Sequence, residues 1–337
     1  MRIMRFNRVT ESTNRARLGV LLDGDLVGDL RAGYARYLIE EQGDAQGPEI
    51  AGLRVPPHLG QLLQIGSAAR EAVLATADWL RQLARHDATT RDSDGGPLFT
   101  PLAECWIHAP VRPGKLVVVG QNYRNGLSES ATATPNRVPS ASIKATSAII
   151  GPMRDIVKPA ATRELDYGTQ VAVVIGQRCK NVPESKAYDV VAGYIVVNDI
   201  SARDILRVER REEAQFLATM FDTFAPMGPW LVTKDEVADP MHLAIRTRVN
   251  GEVRQNGTTA DMIQAIPELL AYVSQMTLEP GDVITTGTPG RAGIERTADP
   301  PSWFLKGGDM LESEVESIGM LRNKIVDEQP KDSPWRW

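Results

Sequence analysis

Cysteine and histidine are the residue types that most readily supply a nucleophile or a metal ligand, and both are sparse in this chain. The two cysteines, Cys105 and Cys179, are far apart, and neither has a second cysteine or a pair of histidines at metal-ligand spacing. Either thiol could in principle act as a nucleophile, but Cys105 precedes a tryptophan and Cys179 follows an apolar run at a predicted turn. We therefore expect inert thiols, no zinc site and a reducing compartment.

The elements that must position a site begin with a region of mixed β and α character. Residues 17–30 run apolar around the tight-turn signal Leu22-Asp23-Gly24-Asp25, which predicts a small β-meander. Apolar residues then recur at helical spacing from Leu59 to Leu83, which predicts one long amphipathic helix. The polar segment from His86 to Pro97 is typical of a linker. We therefore predict an N-terminal β/α domain over residues 1–110.

Beyond this region the chain is rich in short apolar runs separated by Gly, Pro, Asn and Asp, a pattern typical of strands and turns. Asn250-Gly251 marks a hairpin, and a helix is predicted from Ile263 to Met276, where apolar residues share one face. The predicted fold class is α+β, mainly β, with a β-rich domain over 111–327 and a polar tail over 328–337.

The overall charge of the chain argues against several classes of partner. The net charge is -5, and Lys and Arg form no dense run of the kind found in nucleic-acid or membrane-surface binders. No apolar run approaches the roughly 20 residues that a membrane span needs, and the N-terminus lacks the apolar core of a signal peptide. We therefore predict a small-molecule partner, no nucleic acid, no membrane association and a cytoplasmic location.

The β-rich region carries an ordered series of motifs: VVVGQNY (117–123), SAIIGP (147–152), LDY followed by AVVIG (165–176), VAGYIVVNDISARD (191–204), FDTFAPMGPWL (221–231), VNGEVRQ (249–255), LEPGDVITTGTP (278–289) and GMLRNKI (319–325). Together these motifs resemble the fumarylacetoacetate hydrolase superfamily, and the set is far more specific than any single motif. The resemblance implies a C-terminal β-roll or pseudo-barrel, usually in a homodimer, and an N-terminal β/α domain also occurs in that family.

The resemblance also implies a type of chemistry. Members of the superfamily act on acylpyruvates, β-diketones and related enolisable carbonyl acids as hydrolases, decarboxylases, hydratases or isomerases. A bound Mg²⁺ or Mn²⁺ chelates the substrate oxygens and stabilises an enolate. Two glutamates of an LDYExE pattern and an aspartate of the ND-x-S-A-R-D motif hold that metal, and a histidine and a glutamate activate water.

The chain departs from this pattern at the metal ligands. Gly168 and Gln170 stand where the two glutamates are expected, although Asp199 supplies the aspartate. Asp166 and Glu164 share the strand parity of these positions and are alternative ligands. The resemblance therefore predicts no metal cofactor, with at most a weak residual Mg²⁺ site at Asp199 and the Gln170 carbonyl.

The water-activating pair is also incomplete. Gly126 stands at the histidine position, so only Glu129 of that pair remains, and Leu206 and Thr219 replace a frequent glutamine and lysine. Having glycine at 126 and 168 is expected to enlarge the pocket for a bulkier ligand. The four histidines all lie outside the motif: His58, His86, His108 and His242.

Several polar residues stand at positions that line or support the pocket in relatives. We assign Glu129 as the base, Tyr123 or Lys144 as the proton donor or enolate stabiliser, and Arg203 as a clamp for a carboxylate or phenolate. Each could instead hold a turn through a buried hydrogen bond, but as a set they predict that the pocket is retained. The predicted substrate-binding residues are Asn122, Gln170, Asp199, Arg203, Thr223 and Thr288.

Three functions are compatible with these residues. The first is a metal-independent enzyme that acts on an enolisable β-dicarbonyl, polyketide-like or aromatic compound by cyclisation, isomerisation, dehydration or C–C cleavage, in specialised metabolism. The second is an ordinary Mg²⁺- or Mn²⁺-dependent hydrolase or decarboxylase of acylpyruvates or β-diketones with a shifted metal site. The third is a non-catalytic binding protein. In the enzymes, the segment from Arg291 to Ser302 is predicted to form a lid.

Overall fold

Strands dominate the structure, and the predicted α+β, mainly β class is confirmed. The computed structural model describes residues 1–124, 138–290 and 303–329. The strands are β1 (Arg2–Arg8), β2 (Arg17–Leu22), β3 (Leu26–Asp29), β4 (Phe99–Pro101), β5 (Cys105–His108), β6 (Leu116–Gly120), β7 (Ser140–Lys144), β8 (Ile149–Ile150), β9 (Ile156–Lys158), β10 (Leu165–Asp166), β11 (Thr169–Ile175), β12 (Val191–Asn198), β13 (Ser201–Ala202), β14 (Ala225–Thr233), β15 (Ala244–Val249), β16 (Glu252–Thr258), β17 (Val283–Thr285), β18 (Met310–Val315) and β19 (Gly319–Asp327). The α-helices in the same ranges are α1 (Leu30–Gln42), α2 (Gly47–Arg54), α3 (Leu59–Ile65), α4 (Ser67–His86), α5 (Arg203–Arg211) and α6 (Ile266–Val273).

One large sheet contains strands from both predicted domains. Within the described residues its order is β4-β3-β2-β1-β14-β12-β11-β17-β6-β7, with β5 paired to β1 and β8 paired to β14. Strand β1 runs antiparallel to β14, with Ile3 opposite Leu231. The first 110 residues therefore extend the sheet of the β-rich region, and the domain boundary at residue 110 remains a prediction.

The central strands of this sheet are covered on both faces. On one face, Val171 and Val196 pack with Ile245 and Val315 of a second sheet of order β16-β15-β18-β19-β9. On the other face, side chains such as Ala172 belong to the core that also contains the N-terminal helices. Because both faces are covered, every residue of β11 is buried, which explains its nearly continuous apolar run.

The helix predicted from Leu59 to Leu83 is in fact two helices, α3 and α4. They meet at Gly66, whose φ of 79° and ψ of -134° cannot be part of an α-helix. The apolar periodicity continues across the break because both helices pack on the same core. Helical periodicity alone therefore did not reveal the turn.

Two hairpins match the sequence prediction. Strands β2 and β3 pair across the Asp23-Gly24-Asp25 turn, and Val249 pairs with Glu252 across Asn250-Gly251. The helix predicted from Ile263 to Met276 is shorter than expected, because the N–H of Ile263 donates to the carbonyl of Asn122 at 2.8 Å instead of entering α6.

In the part of the chain that the structure describes, no helix is both long and apolar enough to span a bilayer.

Candidate active site

A buried ion pair joins the end of β7 to the segment that follows β12. The Nζ of Lys144 lies 2.5 Å from Oδ1 of Asp199, and it also donates to the carbonyls of Ile200 at 3.0 Å and Phe224 at 2.7 Å. The Lys144 side chain is 2% exposed and the Asp199 side chain is 23% exposed. All three ammonium hydrogens therefore have acceptors, and the carboxylate is the part of the pair that a ligand can reach.

The pKa of Lys144 reflects two opposing influences. Burial lowers it from its ordinary value, whereas the neighbouring Asp199 carboxylate raises it. A positive charge from Arg203 lowers it further, which places Arg203 within electrostatic range of the pair. The network of three acceptors favours the ammonium form, so we treat the pair as charged.

Positions 168 and 170 lie on the same face of the sheet as Asp199. The Asp199 N–H donates to the carbonyl of Gly168 at 2.9 Å, which continues the pairing of Thr169 with Asn198 by one position. Side chains of paired residues project to one face, and a residue two positions along a strand shares that face. The two positions that lack the expected glutamates therefore adjoin the Asp199 carboxylate.

Thr288 occupies the space that a side chain at position 168 would need. A Cβ on Gly168 would lie 2.6 Å from Oγ1 and 3.1 Å from Cγ2 of Thr288. The same hydroxyl oxygen accepts a hydrogen bond from Nε2 of Gln170 at 2.9 Å, while Oε1 of Gln170 accepts the Gly287 N–H at 3.0 Å. Gly168 therefore does not enlarge the pocket in this direction, contrary to the sequence expectation.

The donors around Asp199 do not fit Mg²⁺ or Mn²⁺. These ions favour several oxygen ligands that include carboxylates, but positions 168, 170 and 199 supply one carboxylate, which the Lys144 ammonium already holds. The oxygen of Gln170 accepts a backbone N–H, and the fixed ammonium would repel a cation. Within the described ranges, no group of three His, Cys, Asp or Glu side chains could hold a metal. The donor geometry therefore does not support the weak Mg²⁺ site considered from the sequence.

The two alternative carboxylates pair with arginines of α5. Asp166 is fully buried and its Oδ2 accepts from Nε of Arg203 at 2.8 Å, while Glu164 lies 2.7 Å from Arg207. Strand β10 ends at Asp166 and β11 begins at Thr169, so the strand parity assumed for these residues is interrupted. Arg203 thus neutralises a buried carboxylate, and a substrate anion would have to share it.

Tyr123 packs in the core between the two sheets, on the opposite face of the large sheet from Lys144. Asn122 donates to the carbonyls of Gln264 at 3.0 Å and Thr286 at 2.9 Å, and its Oδ1 accepts the Gln264 N–H. The hydroxyl of Tyr123 lies 3.2 Å from Oγ1 of Thr286, and burial raises its pKa. The structure gives both residues internal partners and does not bring Tyr123 to the ion pair.

The remaining predicted residues lie beside the site or outside the described ranges. The Oγ1 of Thr223 accepts the N–H of Val157 at 2.9 Å, which fixes the turn that presents the Phe224 carbonyl to Lys144. Glu129 lies outside the described residues, as do the whole of the predicted lid and residues 330–337 of the tail. Their assigned roles therefore stay predictions.

The structure thus brings together Lys144, Asp199, Gln170 and Thr288 from the predicted set. A carboxylate held by an ammonium can accept and return a proton, and neighbouring polar groups can orient an oxygen of a ligand. Sequence reasoning missed the backbone groups that organise the site, which are the carbonyls of residues 200 and 224 and the Gly287 N–H. The glycine at position 287 is a sequence signal for one of these groups, because its φ of 95° in the structure is one that glycine adopts most readily.

Gly168→Ala should lower the free energy of unfolding by about 1–3 kcal/mol, because the new methyl group forces Thr288 away from Gln170. Chemical denaturation would measure the loss. The double variant Gly168→Ala/Thr288→Ala removes the clashing atoms and should lose less than the sum of the two single variants. Gly60→Ala is the matched control, because a Cβ there meets nothing within 4 Å. Additive losses would contradict direct contact between positions 168 and 288.

Comparison with protein families gives a match over most of the β-rich region. The family model described as fumarylacetoacetate (FAA) hydrolase C-terminal matches residues 115–326. The human protein named oxaloacetate tautomerase FAHD2A, mitochondrial, is 44% identical over 228 residues, which are 67% of this chain and 71% of the human protein. A fumarylacetoacetate hydrolase domain-containing protein 2 homolog from Dictyostelium discoideum is 42% identical over 234 residues, 67% of this chain and 75% of that protein.

Solved structures resemble the chain over nearly its whole length. The maleylpyruvate hydrolase of Sphingobium sp. SYK-6 has a TM-score of 0.70 and 27% sequence identity, covering 97% of this chain and 100% of that one. The same enzyme in complex with manganese(II) and pyruvate has a TM-score of 0.68 and 27% identity, covering 98% and 100%. A fumarylacetoacetate hydrolase from Exiguobacterium antarcticum has a TM-score of 0.70 and 29% identity, covering 97% and 100%.

Proposed function

Because the chain belongs to the fumarylacetoacetate hydrolase family, whose characterised relatives are enzymes, we propose that it transfers a proton within an enolisable carbonyl acid without a metal ion. The reaction class is tautomerisation or isomerisation. Cyclisation, dehydration and C–C cleavage, the other reactions considered from the sequence, can begin with the same enolate but need further groups to complete them.

The observation that carries the proposal is the Lys144–Asp199 pair beside positions 168 and 170. The metal-binding carboxylates are replaced there by a glycine and a glutamine, and the remaining carboxylate is paired at 2.5 Å with a buried ammonium. Such a pair supplies a proton acceptor together with a fixed positive charge, which is what formation of an enolate requires. The Lys144 ammonium acts as the positioning group, because its three hydrogens are already used.

The proposed reaction moves one proton from the substrate to Asp199 and back to the substrate, so it needs no other reactant. The Asp199 carboxylate removes a proton from the carbon next to the carbonyl, and the C–H electron pair moves to form the C=C bond while the carbonyl electrons move to oxygen. The protonated Asp199 then returns the proton to that oxygen, or to a different carbon of the conjugated system. The reverse sequence converts an enol to a ketone. A carboxylate is a weak base, so the substrate must have an acidified C–H group, as in a β-dicarbonyl compound.

The space next to Asp199 supports a small substrate. Thr288 fills the volume that the missing side chain at position 168 would occupy, so that the absence of a glutamate does not create a wide pocket. The family relatives include an oxaloacetate tautomerase and a hydrolase crystallised with pyruvate. A 2-oxo dicarboxylic acid such as oxaloacetate is therefore the first substrate class to test, ahead of a bulky polyketide-like compound.

Metal-depleted protein should accelerate the loss of the enol form of oxaloacetate above an enzyme-free blank. After dialysis against EDTA and removal of the chelator, the enol absorbance is followed with and without added Mn²⁺, and each blank contains the same ions. We expect the same protein-dependent rate in both conditions. Activity that appears only with Mn²⁺ would instead support a hydrolase-type metal site. Binding without turnover across a panel of 2-oxo and β-dicarbonyl acids would instead support the binding-protein alternative.

A further inference from the structure

A group of basic side chains lies outside the candidate site, on one face of the ribbon formed by β1 and β5. In this antiparallel pair Arg5 lies opposite His108 and Asn7 lies opposite Trp106, so these four side chains share a face. The guanidinium of Arg154 lies over the Trp106 ring, 6.0 Å from its centroid. The group that we call the arginine cluster consists of Arg5, Arg112, Arg154, His58 and His108.

His58 and Arg112, the other two members of the arginine cluster, are brought close to it by the packing of the backbone. A Cβ on Gly281 would contact both Gly60 Cα at 3.2 Å and Val111 Cγ2 at 3.4 Å. The segments that carry His58 and Arg112 therefore pack against the same turn. Arg5 and Arg112 both lower the pKa of His58, after burial, which is consistent with this proximity.

Within residues 1–124, 138–290 and 303–329, the arginines of the cluster have no anionic partner. Across the described residues, the guanidinium groups of Arg5, Arg112 and Arg154 form no ion pair and no hydrogen bond, and the contact of Arg154 is with an aromatic ring. The Nε of Arg5 is buried from solvent without an acceptor. Buried donors in folded proteins normally have partners, so this nitrogen needs an acceptor.

The neighbouring charges that shift the pKa values of Arg5, His58 and His108 are arginines. Burial lowers the pKa of Arg5, and Arg112 lowers it further. Burial, followed by Arg5, Arg154 and Arg112, lowers the pKa of His108 to about 4. The Nε2 of His108 lies 2.6 Å from Oδ1 of Asn7, and the amide nitrogen of Asn7 donates to two backbone carbonyls. Because Oδ1 of Asn7 can only accept, Nε2 of His108 carries the hydrogen of this bond. A neutral histidine surrounded by three guanidinium groups leaves a net positive charge uncompensated.

We propose that the arginine cluster binds a small oxyanion that carries at least two negative charges, of the pyrophosphate or phosphate-ester class. Guanidinium groups present planar pairs of donors that match phosphate oxygens, and three of them here lack an acceptor. Trp106 offers an aromatic surface next to the cations, which would suit a nucleotide or another aryl phosphate. An extended nucleic acid is disfavoured, because the chain carries a net charge of -5.

Isothermal titration of the full-length protein with pyrophosphate, ADP and citrate tests the proposal. Pyrophosphate should bind, and Arg5→Met should weaken it by about tenfold to hundredfold, the usual loss for one or two hydrogen bonds to a charged group. Arg178→Met removes the same charge from an exposed pair with Glu279 and should leave binding unchanged. If ADP binds more tightly than pyrophosphate, the natural ligand is a nucleotide. If ADP and pyrophosphate bind equally, the site recognises the phosphate groups alone. Either result supports the proposed class of ligand. Citrate binding as tightly as pyrophosphate, or no binding of pyrophosphate and ADP, would overturn it.

Two further readouts separate a ligand site from a structural role of Arg5. Without an anion, Arg5→Met should unfold at the same temperature as the parent protein or a higher one, because it removes an unpaired buried donor from a cluster of like charges. Saturating pyrophosphate should raise the pKa of His108 from about 4 in an NMR titration, since the anion offsets the three arginines. A lower unfolding temperature for Arg5→Met, with no effect of pyrophosphate on His108, would show that Arg5 is structural and would refute the proposal.

Discussion

Replacing Lys144 with methionine is expected to lower the free energy of unfolding by about 3–5 kcal/mol, the usual cost of removing one member of a buried ion pair. Methionine matches much of the side-chain volume but donates no hydrogen bond. The substitution would leave the Asp199 carboxylate and the carbonyls of Ile200 and Phe224 without the donor that now satisfies them. Two of these acceptors are buried, so water cannot fully replace the ammonium.

Urea denaturation followed by circular dichroism would measure this loss. The matched control is Lys186→Met, which breaks an exposed pair with Asp189 whose side chains are 69% and 62% accessible. An exposed pair contributes about 0–1 kcal/mol, so the control should be nearly as stable as the parent protein. Equal effects of the two substitutions would show that Lys144 is not held as the structure indicates.

Some of the fold could be predicted from the sequence because its signals are local. The Asp-Gly and Asn-Gly turns fix two hairpins, and the apolar run of β11 reflects a strand that is buried on both faces. The break at Gly66 was missed because α3 and α4 pack on one core and keep a common periodicity. The joining of β1 to β14 depends on partners more than 200 residues apart, which no local pattern specifies.

The candidate site was predicted in residue type but only partly in arrangement. Gly168, Gln170 and Asp199 lie together because strand pairing places them on one face, as the motif spacing suggests. Tyr123 lies across the sheet, and the hydroxyl of Thr288 fills the space that the glycine was expected to open. These outcomes depend on the packing of loops that are distant in sequence, so residue identity could not determine them.

Asp199→Asn should reduce turnover of an accepted enolisable substrate by about 10²–10⁴-fold, the range that a positioned acid–base group contributes. The amide cannot take up the proton from carbon, yet it retains the shape of the side chain and an oxygen that can accept from Lys144. The fall should therefore appear mainly in kcat. Initial rates of enol loss over a range of substrate concentrations would separate kcat from KM.

The same variant also tests whether Asp199 acts as a base or only supports the fold. A role as the base predicts that Asp199→Asn loses kcat but unfolds at nearly the parental temperature, whereas a purely structural role predicts a lower unfolding temperature. The control is Asp189→Asn, which changes an exposed carboxylate that precedes β12, whereas Asp199 follows the end of that strand. This variant should match the parent protein in kcat and in unfolding temperature. A folded Asp199→Asn protein with parental kcat would exclude the proposed proton transfer through Asp199.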